Sequence, residues 1–450
     1  MKLKTVYVCS QCGEQHAKWS GQCSKCKNWN TLVEDVINVG KKEKSMKAVV
    51  VTPSVSISKI PEKENRLKTG IGEFDRVLGG GIINDSVVLL VGDPGIGKST
   101  LTLQICDKIA QLDKKVLYFS GEESINQIAS RAHRLKLKQP INLVNQSCLE
   151  TVLATIESEN PDFVVLDSVQ VTSSDDIESQ PGSISQIRYV AEKMMEMAKS
   201  KGIPVLLIGH VNKEGQLAGP QVLTHLVDTV LYLEGDNFHQ FRLLRSTKNR
   251  FGAIDEVGVF TMEENGLQEV KNPSALFLEG RAENPIGSVI VPVLEGTRTF
   301  LVEVQALTSY TNFGYPKRTS SGFDLNRLNI IIAVLNRYAK INLDSSDVYI
   351  NVVGGLKLNE PGVDLAIAMA IASSKLKKVI PSDLVIMGEL GLSGEVRSVS
   401  QLDKRLKEVE KLGFKKALIP NNRNKLKTGV ETLQVKMIFE AVGKVFGGIN

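Results

Sequence analysis

Two short runs of this 450-residue chain carry residue types spaced for chemistry. In CSQCGEQHAKWSGQCSKC, Cys9 pairs with Cys12 and Cys23 with Cys26 across a ten-residue loop. Each C-x2-C pair can set two sulfurs on one tetrahedral ion, so the spacing predicts a structural Zn²⁺ site with all four positions filled. A module this small would depend on its metal to fold. His16 is a spare donor that reads as an ordinary surface residue, and Trp19 and Trp29, the only tryptophans, are expected to pack the small core. In VVLLVGDPGIGKST, an apolar strand-like run from Val87 to Val91 leads into Gly92, Asp93, Pro94, Gly95, Ile96, Gly97, Lys98, Ser99 and Thr100. This is G-x4-G-K-S: the glycines let backbone N–H groups curl round phosphates, and a helix opening near Lys98 points its positive end at them. Lys98 would neutralise the β- and γ-oxygens and Ser99 would bind Mg²⁺, so the predicted cofactor is Mg-ATP.

Carboxylates follow in the order such a site needs. KVLYFSGEES is a strand tipped by Glu122 and Glu123. Glu122 is the preferred residue to orient the attacking water, with Glu123 in reserve and a charged turn as the bland reading. PDFVVLDS is a buried strand ending in Asp167, placed to complete the Mg²⁺ shell. A third strand ends at His210, which touches the γ-phosphate or merely caps its strand. Further on, LLRSTKNRFG sets Lys248 and Arg250 either side of Asn249, past an apolar strand-like run. On residues alone this is a basic prong or a basic surface turn.

The elements that must hold these groups are legible in outline. Residues 66–272 alternate strands with helices such as 98–112 and 183–201, an α/β sheet with nucleotide at the carboxyl ends of its strands. Residues 41–65 mix charge, Ser and Pro and read as a tether. Residues 276–450 read as an α+β domain, with two strands round a Gly turn, two apolar-faced helices and a basic amphipathic helix in QLDKRLKEVEKLG. The divisions are therefore a zinc module at 1–40, a tether at 41–65, an ATPase core at 66–275 and a third domain at 276–450. Net charge is +5, and residues 1–50, with nine Lys against four Asp or Glu, carry all of it. That balance favours a polyanion or a solubilising surface equally. There is no apolar run of 18 residues and no secretory leader pattern, which reads as cytoplasmic with no membrane partner. Cys106 and Cys148 read as packing.

TGIGEFDRVLGGGIINDSVVLLVGDPGIGKSTLTLQ resembles the RecA-type ATPase core. Together with the cysteine module, YFSGEES, GHVNKEG and STKNRFG, the chain resembles the bacterial RadA (Sms) family of DNA-repair ATPases over nearly its whole length. One departure is Asp85, where that family usually has Gly. The resemblance implies an ATP-driven motor that translocates on single-stranded DNA and drives branch migration of recombination intermediates. It implies a hexameric ring with ATP between subunits, into which KNRFG projects Lys248 and Arg250 from the neighbour. It implies loops after Asp167 and His210 that line a DNA channel, with Gln186, Arg188 and Lys213 as contacts, while Asp175, Asp176 and Glu178 point elsewhere. It also implies single-stranded and branched DNA and a RecA-type recombinase as partners.

The third domain resembles the Lon protease domain, whose Ser–Lys pair falls here on Gly362 and Asp403. Gly offers no nucleophile and Asp no amine base, so the domain is expected to be an inactive scaffold. Ser373, Ser374 and Lys404 lie out of register with that pattern. Lys404, Arg405, Lys415, Lys416, Arg423, Lys425 and Lys427 are expected on a solvated face that could meet duplex DNA. Two rival readings stand beside the motor: an ATP-dependent protease, opposed by Gly362 and Asp403, and a non-motor switch of the KaiC kind. LGGG and GEES fit the switch, whereas the single core, the cysteine module and KNRFG do not.

Overall fold

Zinc-ligand spacing, buried apolar strands and Gly-marked turns build three sheets large enough to matter here. A computed structural model describes residues 3–38, 56, 65–210, 222–235, 241–311, 314–354, 356–422, 426 and 428–447. Most of the expected tether, Lys213 with its NKEGQLAGP stretch, and Arg423, Lys425 and Lys427 lie outside the described residues. The chain divides into two units, Met1–Glu269 and Val270–Asn450.

The first unit opens with β1 (Leu3–Cys9), β2 (Gln15–His16) and β3 (Leu32–Asn38), an antiparallel sheet in the order β2-β1-β3. Its interior is Cys9, Cys23 and Leu32, with Tyr7, Cys12 and Cys26 packed against them. Trp19 and Trp29 do not join it: they are 58% and 69% exposed. The expectation that they fill the core fails: the interior is made instead by the thiols with Leu32 and Tyr7, and by Val6 and Val8 of β1.

A short hairpin, β4 (Arg66–Leu67) and β5 (Ile82–Ile83), brackets α1 (Gly72–Val77) and leads into the nucleotide domain. There follow β6 (Val87–Gly92), α2 (Lys98–Ala110), β7 (Val116–Ser120), α3 (Ile125–Arg134), β8 (Asn142–Asn145), α4 (Leu149–Glu159) and β9 (Phe163–Asp167). Next come α5 (Ile184–Lys201), β10 (Val205–Ile208), α6 (Val222–Leu226), β11 (Thr229–Glu234), β12 (Phe241–Asn249), β13 (Val257–Glu263) and β14 (Gly266–Glu269). The nine strands lie in the order β14-β13-β12-β11-β6-β10-β9-β7-β8. Strands from β11 to β8 are parallel, and β12, β13 and β14 add antiparallel. β6, β7, β9 and β10 are buried at every position, so they read as unbroken apolar runs rather than alternating ones. One core cluster lines each sheet face, around Leu90, Val165 and Leu206 on one side and Leu89, Leu166 and Leu207 on the other. β12 is longer than expected. Lys248 lies inside it, paired with Val230, and two more strands follow, so KNRFG does not come after the last strand of the sheet. Edge pairing with β11 carries the strand past its apolar stretch.

The second unit holds α7 (Pro273–Phe277), β15 (Ser288–Glu295), β16 (Arg298–Tyr310), β17 (Arg318–Ser321), α8 (Leu325–Tyr338) and β18 (Ser346–Val352). It continues with α9 (Asp364–Leu376), β19 (Leu384–Ile386), β20 (Glu389–Leu390), β21 (Val396–Arg397), α10 (Leu402–Lys411), β22 (Lys416–Pro420), β23 (Glu431–Val435) and α11 (Ile438–Phe446). Seven strands form a mixed sheet, β17-β18-β16-β15-β19-β22-β23. α9 is buried from Asp364 to Ser373, as its Ala-rich, all-round apolar sequence requires. Arg405, expected on a solvated face of α10, is fully buried. Its guanidinium donates to the Pro292 carbonyl at 2.5 Å and to Glu360 Oε1 at 2.8 Å. Helical periodicity gave no sign of a buried partner 45 residues away.

Candidate nucleotide site and metal centre

The nucleotide site is built where β6 runs out. At Gly92 a side chain is barred, since a Cβ would lie 2.3 Å from the Leu233 carbonyl oxygen. Gly97 caps α2 in the left-handed region (φ 116°) with no side-chain capping bond, so the first N–H groups of a 13-residue helix face the loop. Lys98 is buried, and its Nζ donates to the carbonyls of Gly92 at 2.7 Å and Asp93 at 3.0 Å. Burial lowers its pKa, against the pull of Asp167, Glu122 and Asp93. The ammonium is thus held within the loop, ready to exchange carbonyl partners for phosphate oxygens.

Asp167 closes β9, one strand removed from β6 because β10 lies between. Its Oδ2 accepts from Ser99 Oγ at 3.2 Å and from Tyr118 Oη at 2.5 Å. Burial raises its pKa. Ser99 and Asp167 present adjacent oxygens of the kind a hard divalent cation takes. Glu122, past the end of β7, accepts from Ser168 Oγ and lies 3.2 Å from His210 Nε2. That His210 contact, with help from Ser168, holds its pKa below the ordinary carboxylate value. Glu123 is occupied elsewhere, paired with Arg131 at 2.7 Å. The ends of β6, β7, β9 and β10 therefore converge Lys98, Ser99, Glu122, Asp167 and His210. Sequence reading missed Tyr118, Ser168 and Arg242, whose Nε braces the loop by donating to the Ile96 carbonyl at 3.1 Å. The one signal in the sequence was an Arg set between Phe241 and Leu243 of a strand-like run; the structure buries it on the side of β12 that carries Leu244 and Ser246.

Lys248 and Arg250 are not brought to this cluster. Lys248 pairs with Val230, and Val230 with Leu89, on an antiparallel strand. Arg250 therefore leaves the sheet at the edge where β6 begins, six residues or about 20 Å of strand from the phosphate loop. Lys248 Nζ donates to the carbonyls of Thr224, His225 and Val227 at 2.7, 3.1 and 2.7 Å, which satisfies the end of α6. Arg250 Nη1 meets Asp228 Oδ1 at 3.1 Å, with its side chain 48% exposed. Arg66 pins the turn by donating to the Phe251 carbonyl at 2.6 Å.

The expected DNA contacts fare differently. Gln186 is buried, and its amide bonds Ser174, Ile177 and Ser179, so it shapes the segment after Asp167 instead of facing a strand. Arg188 pairs with Glu192 at 2.7 Å and donates to the Cys12 carbonyl at 3.2 Å.

In the metal centre, Cys9 and Cys26 Sγ are 3.6 Å apart, as are those of Cys12 and Cys23, and all four lie within 4.8 Å of one another. A tetrahedral ion about 2.3 Å from each sulfur spaces them by about 3.8 Å, so the thiols fit Zn²⁺. The Cys26 backbone N–H lowers the Cys23 thiol to about 6, and burial pushes Cys12 up to about 12. His16, expected as a plain surface residue, sets Nε2 3.5 Å from Cys23 Sγ, an outer partner of the site. In the second unit Gly362 occupies a 3-10 turn before α9, and Asp403 lies in the first turn of α10.

Three family models match the chain: an AAA domain over residues 55–216, a rubredoxin metal binding domain over 7–34, and subunit ChlI of Mg-chelatase over 318–423. Among curated proteins, DNA repair protein RadA of Aquifex aeolicus (strain VF5) is 47% identical over 450 residues, covering 99% of this chain and 100% of its own. That of Bacillus subtilis (strain 168) is 46% identical over 461 residues, with coverage of 99% and 100%. That of Escherichia coli (strain K12) is 42% identical over 454 residues, with 98% of each covered. The fold class is the expected one: a RecA-like P-loop ATPase core, an N-terminal zinc ribbon and a ChlI- or Lon-like C-terminal domain.

Proposed function

The chain belongs to the DNA repair protein RadA family, and from that membership we propose that it is an ATP-driven motor of recombinational repair. It translocates on single-stranded DNA and drives branch migration. One observation carries the reading: Lys98, Ser99, Glu122 and Asp167 converge at one edge of the sheet while Arg250 leaves from the other. A cation there cannot serve its own nucleotide, but in a ring of identical subunits it can serve the next. The ring is read as a hexamer.

In this reading the phosphates lie across the loop and the first N–H groups of α2. Lys98 exchanges the carbonyls of Gly92 and Asp93 for β- and γ-oxygens. Ser99 and Asp167 would hold Mg²⁺, which offsets phosphate charge when bound. Glu122, kept ionised by His210 and Ser168, orients a water and accepts its proton as oxygen attacks the γ-phosphorus and ADP departs. Arg250 from the neighbour meets the charge of the transition state, with Lys248 beside it. Turnover shifts the segments after Asp167 and His210 along the strand. Residues 1–40 dock a RecA-type recombinase or forked DNA, 41–65 tether them to the core at 66–275, and 276–450 scaffold the ring without proteolysis. The setting is the cytoplasm.

The test is steady-state ATP turnover with and without single-stranded DNA at two salt concentrations. Stimulation should fade with salt. Lys98→Ala and Arg250→Ala should each abolish it, the latter by a factor of ~10³–10⁵. Mixing the two inactive variants should restore part of the activity, because some interfaces then join an intact loop to an intact Arg250. Turnover indifferent to DNA would remove the motor, and a mixture as dead as its components would remove the shared site.

A further inference from the structure

We infer that Trp19 and Trp29 form a stacking platform on the zinc module for the unpaired bases of single-stranded DNA. These are the chain's only two tryptophans, and they stand 58% and 69% exposed. Two indoles in water on so small a module are unusual, because large aromatic rings ordinarily bury much of their surface in a domain's core.

The backbone presents Trp29 rigidly, and Trp19 stands exposed earlier in the chain, in the loop between the two cysteine pairs. Cys23 N–H donates to the Asn28 carbonyl at 3.0 Å and Lys27 N–H to the Cys23 carbonyl at 3.0 Å, which closes the second cysteine knuckle. Gln22 Nε2 adds a bond to the Lys27 carbonyl at 2.7 Å, and Asn30 N–H reaches the Gly21 carbonyl at 2.7 Å. Trp29 is thereby fixed opposite Gln22, with its ring edge beside Gly21 at the distance of van der Waals contact, 3.4 Å from where a Cβ would stand. A ring backed by glycine and held by a metal knuckle loses little freedom when a base stacks on it.

The surroundings select the ligand. Residues 15–30 contain Lys18, Lys25 and Lys27, all exposed, and no Asp or Glu; the acid just before them, Glu14, pairs with Lys25 at 2.7 Å and leaves the stretch net positive. Among the thiols, Cys9 and Cys23 are buried and Cys12 and Cys26 half-buried, so the negative charge of a loaded site lies beneath this rim. Aromatic faces interleaved with lysines and amides match a phosphate backbone with splayed bases, the pattern of sequence-tolerant single-strand binding. The segment after Asp167 offers no such rings: 168–183 has no Phe, Tyr or Trp. The platform supplies the stacking that segment lacks.

Because no other tryptophan exists, the full chain reports on its own platform. A single-stranded thymidine oligomer, titrated without nucleotide, should quench most of the intrinsic fluorescence. Inorganic polyphosphate of equal charge should leave it nearly unchanged. Each Trp→Ala change should weaken binding of a labelled oligomer by about 5- to 100-fold, the worth of one stacked base. Trp19→Phe and Trp29→Phe should retain most of the affinity. Zinc content of every variant establishes that the module is folded, and the Phe pair decides the matter if an Ala variant loses zinc. Unchanged fluorescence at saturating oligomer would overturn the platform. So would equal quenching by polyphosphate, or quenching only by an added recombinase, which would make the face a protein dock. The titration needs no ATP, so its failure is separate from failure of the motor reading.

Discussion

Asp85 holds a left-handed backbone (φ 65°) in the turn before β6, at the position where the resemblance leads one to expect Gly. An L-residue there is strained by about 1 kcal/mol, so Asp85→Gly should stabilise the protein by that amount and raise its Tm by a few degrees. Its carboxyl, although the residue is exposed, is also disfavoured as an anion, since partial desolvation and then Asp228 raise its pKa, against Lys199. An acid with a raised folded pKa contributes its full stability below the unfolded pKa, about 3.9, and loses it as pH rises through the folded value. Asp85→Asn keeps a side chain that tolerates the turn and removes the charge. Its gain should therefore appear at pH 7 and vanish near pH 3, and a gain equal at both would exclude the electrostatic part. At this scale the phosphate site was legible because strand, loop and helix are contiguous in sequence. Tyr118, Ser168 and Arg242 were not, since their partners lie 49, 46 and 146 residues away and no local pattern announces them.

Among the elements, the turn between β9 and α5 rests on one side chain. Gln186 accepts the Ser174 N–H and donates to the carbonyls of Ser174, Ile177 and Ser179, all at 2.9–3.0 Å. Ser183 caps the same helix by accepting the Gln186 N–H. Gln186→Leu keeps the volume and strands these buried groups, at a cost of about 2–3 kcal/mol. Amide exchange should rise over 174–183 and stay as in the parent across β6 and β10. Protection unchanged over 174–183 would show the turn is held by other bonds. A polar loop reading could not foresee this, because a glutamine facing inward and one facing DNA look alike in sequence. The same holds for β12. Its apolar stretch was read as a strand, but its continuation through Lys248, and the hairpin of β13 and β14, come from pairing across the sheet. Strand order was equally hidden, since β10 enters between β6 and β9 although it follows both in the chain.

Over the whole molecule, the parts depend on each other unequally, and the metal exposes this. Zinc at four thiolates supplies on the order of 10 kcal/mol to a module whose buried apolar residues besides its thiols include only Val6, Val8 and Leu32 among the described residues. The nucleotide domain has its own clusters on both sheet faces, and neither contains a residue from 1–38. Among the described residues, polar contacts between the two include Arg188 to the Cys12 carbonyl at 3.2 Å and Ser185 Oγ to Asp35 at 3.0 Å, both from the first turns of α5. Displacing the metal with a thiol reagent and chelator should release one zinc per chain and abolish protection in β1 and β3. It should leave the main thermal transition within about 3 kcal/mol of its holo value, since two part-buried hydrogen bonds contribute about 0.5–1.5 kcal/mol each. Exchange should rise at residues 184–188, where those contacts end, and stay low at Val190, Ala191 and Met194, which are fully buried. A main transition that collapsed with the metal would mean the zinc module is part of the nucleotide domain's core. Its persistence would identify α5 as an element through which the module can sense the segment after Asp167.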